Sequence, residues 1–298
     1  MRVSASIKLG EYLPKEYRVK KEVRKPMKDA LFQQYAAVVE NHFGIKLPRD
    51  KMALLESRLF KLFNDNEGRS EYENAEAFLK YIHQDKSGKA LAKLAEAITT
   101  HHTYFMREQD HFSFYGNHVL PELEKMIKDG DVRTWCAACS SGEESYTLAM
   151  YLNDYFALKG SKWEYTLLAT DLSRDILETA KLGIYSRESV STLPAGWQAS
   201  YFKKLDSERC QVVPSIKQRV LYRQFNLMTP VFPFRRPFHV IFCRNVMIYF
   251  DGSTRNELVK KFYDFLEPGG YLFVGHSEVI DRTVVPFEYI MPSVYRKK

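Results

Sequence analysis

From Asp29 onward the apolar residues recur at three- and four-residue intervals. Leu31, Tyr35, Val38, Val39 and Phe43 make one helical stripe, and Gly44 supplies the stop. Pro48 and Asp50 open a second helix with Met52, Leu55, Leu59, Leu62 and Phe63 on its apolar face. Ala75, Phe78, Leu79 and Ile82 mark a third helix, and Leu91, Leu94, Ala95 and Ile98 a fourth. Residues 29–100 therefore read as a small all-helical domain. Residues 1–28 are polar and basic with no sustained apolar period, and read as an extension.

Beyond Phe112 the grammar changes. Short apolar runs, at Val132–Cys136, Tyr165–Thr170, Val220–Phe225, His239–Cys243 and Tyr271–Gly275, alternate with helical patterns at about 117–129, 143–158, 173–182 and 254–266. Such alternation predicts an α/β domain over 101–298, a parallel sheet with helices on both faces. The stretch 186–220 carries Pro194, Gly196 and Pro214 and is too long for a plain loop. It reads as a small inserted β subdomain, with Val212, Val213 and Ile216 as the candidates for short strands.

Length and composition narrow the class. The chain has 298 residues, 45% hydrophobic and 27% charged, which fits roughly two globular domains. No apolar stretch is long enough for a transmembrane helix, and the first residues lack a signal-peptide core, so a cytoplasmic protein is expected. The net charge of +7 is compatible with nucleic acid, an acidic protein or an anionic surface, and does not choose among them. Four cysteines are too few for a disulfide scaffold, and Cys136 and Cys139 have no second pair to make a zinc site. His101, His102, His111 and His118 are close in sequence but not at metal-ligand spacings, so no metal is expected.

In open parallel sheets, ligands bind at the carboxyl ends of the strands, and those ends carry the candidate chemistry. The first strand runs into Ala137-Ala138-Cys139-Ser140-Ser141-Gly142-Glu143-Glu144, small residues that admit a ligand to the backbone, then two acids at a helix start. There is neither a G-x-G-x-x-G nor a P-loop motif, which argues against a phosphate ligand. The second strand ends in Asp171, suited to a ribose diol or to a helix start near Ser173. The third ends in Asn226-Leu227, an amide suited to an adenine edge. The fourth ends in Arg244-Asn245, with Tyr249 four residues on; a charge at the end of a buried strand favours a site.

These strand ends resemble the Rossmann-like class I methyltransferases that use S-adenosylmethionine. Within them the chain resembles the CheR family of chemotaxis receptor glutamate methyltransferases. The segments that carry the likeness are Thr103-Tyr104-Phe105-Met106-Arg107-Glu108, Ser140-Ser141-Gly142-Glu143-Glu144, Ala169-Thr170-Asp171, Phe225-Asn226-Leu227, Cys243-Arg244-Asn245-Val246-Met247-Ile248-Tyr249-Phe250 and Gly275-His276-Ser277-Glu278. They occur in the family's order over residues 30–298. The resemblance implies a cofactor site made of His101, Thr103, Arg107, Glu144, Asp171, Asn226, Leu227, Arg244 and Asn245. His101 stands where the family often has asparagine. Asp171 is expected to hold the ribose and Asn226 the adenine.

The implied reaction is direct displacement. A receptor glutamate carboxylate attacks the activated methyl, and S-adenosylhomocysteine leaves, with no metal. The implied catalytic residues are Arg107, guiding the carboxylate, and Tyr249, near the methyl. The implied partners are the cytoplasmic helices of chemoreceptors and a receptor C-terminal tethering peptide, with recruitment to membrane-bound receptor arrays but no membrane insertion and no nucleic acid. A monomer is expected. On the second helix Lys51, Arg58 and Lys61 make a candidate docking stripe for acidic receptor helices. Other readings stay open on the residues alone: a methyltransferase with another acceptor, such as RNA or a small molecule, and a noncatalytic cofactor-binding regulator.

Overall fold

A computed structural model describes residues 26–63 and 72–298; residues 1–25, most of the basic extension, lie outside the described residues. The first elements are helices α1 (Asp29–Phe43), α2 (Met52–Phe63), α3 (Ala75–Gln84) and α4 (Lys89–Ile98). Each buries the stripe its spacing predicts, and the stripes meet in one core around Phe32, Tyr35, Val39, Leu59, Phe78 and Leu94. Asn74 caps α3 by accepting the Ala77 N–H, and Gly44 ends α1 in the left-handed conformation at φ 68°.

The α/β region has a seven-stranded sheet. Its strands are β1 (Thr134–Ala137), β2 (Leu167–Asp171), β6 (Val220–Gln224), β7 (Phe238–Cys243), β8 (Leu266–Val274), β9 (Phe287–Met291) and β10 (Val294–Lys297). The spatial order is β6-β2-β1-β7-β8-β10-β9. The first five strands in that order run parallel, and β10 pairs antiparallel with both β8 and β9. Chain order reverses direction at β1, whose neighbours are β2 and β7, so the switch point lies at the carboxyl ends of β1 and β7. Every residue of β1 and β7 is buried, as expected of strands covered on both faces. On one face Trp135 packs against Phe225, Phe232, Phe234, Phe238 and Phe262; on the other Phe242 stacks on Phe273 with ring centroids 4.2 Å apart.

A helix and a hairpin differ from the pattern-based expectation. The helix expected at about 117–129 begins earlier. Helix α5 (Gln109–Phe114) continues through a π-turn at Tyr115–Val119 into α6 (Leu120–Met126). Gly116 and Pro121 mask this continuity in the sequence; at Gly116 a Cβ would lie 2.6 Å from the Tyr151 ring, so the close approach requires glycine. The C-terminal hairpin of β9 and β10 was not anticipated, because its turn is Pro292-Ser293, with Ser293 rather than glycine at φ 62°.

The inserted segment folds as a three-stranded antiparallel sheet in the order β3 (Ile184–Ser186), β5 (Arg209–Val212), β4 (Phe202–Lys204), with α9 (Arg187–Val190) and α10 (Ala195–Tyr201) between β3 and β4. Only Val212 of the three expected strand residues is in a strand. Val213 precedes, and Ile216 lies within, the single-turn α11 (Pro214–Lys217), which Pro214 starts. The remaining helices are α7 (Glu143–Phe156), α8 (Arg174–Leu182) and α12 (Gly252–Asp264). No helix among the described residues is long and apolar enough to cross a membrane.

The helical region sits over the carboxyl ends of the strands. Lys46 N–H donates to the Tyr249 carbonyl at 3.0 Å, and Asn226 Nδ2 donates to the His42 carbonyl at 2.7 Å. Glu96 on α4 reaches the start of α8, where it accepts from the Ser173 hydroxyl and from Asp175 N–H. Ser173 itself caps α8 by accepting the Ile176 N–H.

Candidate active site

A cleft opens between the helical region and the carboxyl ends of β1, β2, β6 and β7. It brings together every residue expected at the cofactor and catalytic sites: His101, Thr103, Arg107, Glu144, Asp171, Asn226, Leu227, Arg244, Asn245 and Tyr249. Phe43, Ile45 and Ile98 from the helical region add an apolar wall that the strand-end reading missed. The signal for Phe43 and Ile98 was the end of the helical stripes, which places them at the termini of α1 and α4; Ile45, beyond the Gly44 stop, gave none.

The turn after β1 is built from left-handed residues. Ala138 (φ 59°), Ser140 (φ 51°) and Gly142 (φ 99°) alternate with ordinary ones. Such a conformation in non-glycine residues carries strain of order 1 kcal/mol each and is held here by tertiary bonds. Cys139 N–H donates to the Thr170 carbonyl, Ser140 N–H to Asp171 Oδ2 at 2.9 Å, and the Ser140 hydroxyl to the His101 carbonyl at 3.1 Å. At Gly142 a Cβ would come within 2.9 Å of the Tyr185 and Tyr222 hydroxyls. Small residues therefore keep this turn open to the cleft, as their types suggest.

Asp171 is buried at the end of β2. Oδ2 accepts from Ser140 N–H and Oδ1 from Ser173 N–H at 3.0 Å. It is thus not itself the cap of α8. Burial pushes its carboxyl up, opposed by these two backbone bonds. Each oxygen keeps lone-pair capacity for a hydroxyl donor from the cleft. His101 lies close, its ring Nε2 paired with the Thr99 hydroxyl at 2.8 Å.

Arg244 is the centre of the floor, its side chain only 1% exposed. Its guanidinium donates to Glu144 Oε2 and Glu108 Oε2, both at 2.8 Å, and to the Arg107 carbonyl. It also lies over the Phe112 ring at 5.2 Å. The sequence places Arg244 among the cofactor contacts; the geometry spends most of its donors on protein groups, so its chief work is to join β7, α7 and the 104–108 turn. Burial pushes the Glu144 carboxyl up, with Arg244 opposing. At Glu108 burial also raises, but the Arg244 charge and the bonds from Arg244, Asn245 and His276 outweigh it and hold the carboxyl below the usual range. The sequence shows Glu108 only as the end of the Thr103–Glu108 motif; its partner at residue 244 is distant in sequence and gives no local signal.

Arg107 lies half-buried at the cleft wall. Nη1 donates to the His102 carbonyl at 3.0 Å and the guanidinium sits 5.8 Å from the Tyr104 ring, which leaves most of its donors for a ligand. Tyr249 lies in the 3-10 turn Met247–Tyr249 and is 39% exposed at the cleft rim. Asn245 has φ 59° and donates through Nδ2 to Glu108 Oε1 at 3.1 Å. Asn226, expected to read an adenine edge, spends one amide donor on the His42 carbonyl, and its Oδ1 accepts from Met228 N–H at 2.9 Å. It keeps one N–H and one lone pair for a ligand.

The docking stripe on α2 is corrected. Arg58 does not project to solvent: Nη1 donates to the carbonyls of Ile98 and Thr99 at the end of α4, and Nη2 to the Thr100 hydroxyl at 3.0 Å. Burial lowers its pKa. It closes the C-terminus of α4, where a cation is favoured. Lys51 and Lys61 are exposed, but Lys51 lies in the 3-10 turn Arg49–Lys51 before α2, 3.8 Å from the Asp50 carboxylate.

All four cysteines are reduced and buried, and burial pushes the Cys136 and Cys139 thiols well up, which is the opposite of a redox-active pair. Among the histidines, His111 meets Glu108 and His276, not its sequence neighbours, with donor atoms within 4.8 Å of one another. Glu108 in that group is engaged by Arg244.

Residues 101–295 match the family model described as CheR methyltransferase, SAM binding domain. The chemotaxis protein methyltransferase of Borreliella burgdorferi is 40% identical over 263 residues, covering 87% of this chain and 91% of that one. Chemotaxis protein methyltransferase 1 of Pseudomonas aeruginosa is 32% identical over 281 residues, 91% of this chain and 98% of the relative. The chemotaxis protein methyltransferase of Escherichia coli is 30% identical over 258 residues, 86% of each chain.

Proposed function

The chain belongs to the CheR methyltransferase family, and we propose that it methylates glutamate side-chain carboxylates of chemoreceptors in chemotactic adaptation, leaving glutamate methyl esters and S-adenosylhomocysteine. The observation that carries this reading is one cleft at the switch point holding Asp171, Glu144, Arg107 and Tyr249 together.

The donor set fits S-adenosylmethionine. Asp171 offers lone pairs for a diol, Asn226 a donor and an acceptor, and the 138–142 turn a backbone stripped of bulk. Leu227 and Phe225 offer apolar contact beside them. When bound, S-adenosylmethionine supplies a methyl group activated by its sulfonium. Asp171 and Glu144 offer carboxylate oxygens to the cofactor's hydroxyl and ammonium groups, in a cleft that Arg107 and Arg244 also line. Thr103 and Asn245 close the same wall.

An acceptor glutamate is ionised at neutral pH, with a reference pKa of about 4.3, so the residues need not remove a proton. Their work is positioning, which is worth at most about 7–11 kcal/mol of a barrier. Arg107 directs its free N–H groups at the carboxylate and fixes its approach by charge-assisted hydrogen bonds. Tyr249 at the rim borders the path of the acceptor. The apolar wall of Phe43, Ile45 and Ile98 excludes water from the carboxylate, which strengthens each of these contacts.

In this reading the acceptor arrives on the cytoplasmic helices of membrane-bound receptors, whose acidic faces suit the exposed Lys51 and Lys61. The inserted sheet, with exposed Lys203 and Lys204 on its edge strand β4, is the place for a receptor C-terminal tethering peptide. The test is mass spectrometry of a receptor cytoplasmic fragment after incubation with the protein and S-adenosylmethionine. A gain of one methylene on glutamates, lost when those glutamates are changed to glutamine, supports the reading; methylation elsewhere, or none, contradicts it.

A further inference from the structure

Glu278 is 3% exposed and follows β8 in sequence. Its Oε1 accepts from Val246 N–H at 2.9 Å and Ile248 N–H at 3.2 Å. Its Oε2 accepts from Asn245 N–H at 2.9 Å and from Gly275 N–H. All the hydrogen bonds to this carboxylate come from backbone, and no cationic side chain pairs with it among the described residues. A buried anion with four convergent amides is a backbone nest closed by a side chain of the same molecule. Burying such a charge is costly unless its bonds are all made, so a mere space-filler at this place would be apolar.

Two features show what the nest shapes. Gly275 is stripped to backbone: a Cβ there would come within 2.5 Å of Asn245 Nδ2, 2.8 Å of Asn245 N and 2.9 Å of Glu278 Oε2. The carboxylate therefore joins the ends of β7 and β8 only because residue 275 has no side chain. The amides it holds begin the turn in which Tyr249 N–H and Phe250 N–H then bond back to the Val246 and Met247 carbonyls. Asn245, left-handed at φ 59°, opens this turn, and Tyr249 is the last residue of its 3-10 segment.

We propose that Glu278 is a positioning residue for methyl transfer, acting by fixing the Asn245–Phe250 turn and hence the Tyr249 ring at the cleft rim. The proposal rests on the reading that Tyr249 faces the acceptor. Glutamine keeps the shape of Glu278 but turns an NH2 toward backbone N–H groups, so two donors oppose each other and the turn shifts.

The experiment is a double-mutant cycle of Glu278→Gln and Tyr249→Phe in the full chain, with receptor fragment as acceptor and S-adenosylhomocysteine binding measured separately. Glu278→Gln lowers kcat about tenfold or more while the S-adenosylhomocysteine Kd stays within about threefold, and Tyr249→Phe then costs much less than it costs in the unaltered protein. Equal losses from Tyr249→Phe in both backgrounds, or turnover within about twofold of normal for Glu278→Gln, overturn the proposal. If Glu278→Gln does not fold, Glu278→Asp, one methylene shorter, takes its place in the same cycle. Amide hydrogen exchange at residues 245–250, read with no acceptor, separates the two ideas. Faster exchange confined to this turn with a harmless Tyr249→Phe would refute the role of Tyr249 and the proposal built on it, while unchanged exchange would refute the nest itself.

Discussion

Replacing Arg244 with methionine keeps the length of the buried side chain and removes its charge. Glu108 and Glu144 would then lie at the cleft floor without the guanidinium that holds both at 2.8 Å. Breaking a buried ionic network by deleting one partner costs about 3–5 kcal/mol. For a region of this size each kcal/mol shifts the melting temperature by about 2–4 °C, so the expected loss is about 6–20 °C. The pH dependence gives the sharper check. With Arg244 present, the Glu108 carboxyl is held below its unfolded value, so its contribution is present above that value and fades as pH falls through the folded one. Without Arg244, burial raises Glu108 as it already raises Glu144, and ionising both opposes folding. The gap between the two proteins is therefore widest near neutral pH and narrows as pH falls through the carboxylate range. Adding Glu108→Gln to Arg244→Met recovers part of the loss, because one uncompensated charge is gone. Thermal melts followed by circular dichroism at several pH values read all of this. A melting temperature within about 2 °C of normal at neutral pH would refute the view that Arg244 holds the floor together.

Asp171→Ala removes a charged acceptor worth about 1.5–3 kcal/mol, so calorimetry should show S-adenosylhomocysteine binding weakened by about tenfold to a hundredfold. Lys51→Glu with Lys61→Glu should raise the KM for receptor fragment and leave S-adenosylhomocysteine affinity alone, whereas Arg58→Ala should lower the melting temperature by uncapping α4; the reverse pattern would restore Arg58 to the docking stripe. His111 and His239 are buried, and burial foremost lowers both to about 4 from 6.5, so the unfolded chain binds more protons between those values and stability should drop as the solution is acidified from 6.5 toward 4; a flat urea-unfolding profile there would contradict this. Thiol titration of the native protein should find no rapidly reacting cysteine, and four after denaturation.

The strand ends were legible because parallel strands buried on both faces write themselves as apolar runs, and the polar residues that follow the β1, β2, β6 and β7 runs line the cleft. Asp171, Asn226, Arg244 and Asn245 were found in that way, and Glu144 from the small-residue turn before it. What could not be read depends on pairings far apart in the chain. Glu108 and Arg244 lie 136 residues apart, and Asn245 and Glu278 lie 33 apart. Arg58 shows the same limit from the other side: helical spacing puts it beside Lys51, but α4 packs over it and takes its guanidinium for carbonyls 39 to 41 residues away. The C-terminal hairpin escaped because the tight turn between its strands is made by proline and serine instead of a glycine pair.

The most direct test of the whole account is transfer of labelled methyl from S-adenosylmethionine to membranes bearing the organism's chemoreceptors, followed by mild base. Label carried by the receptor and released as methanol, and reduced by Asp171→Ala when S-adenosylmethionine is limiting, is the result expected for a carboxyl methyl ester made at this cleft. Base-stable label, or no label from a protein that binds S-adenosylhomocysteine, would contradict glutamate methylation and point to a different acceptor or to a regulatory role.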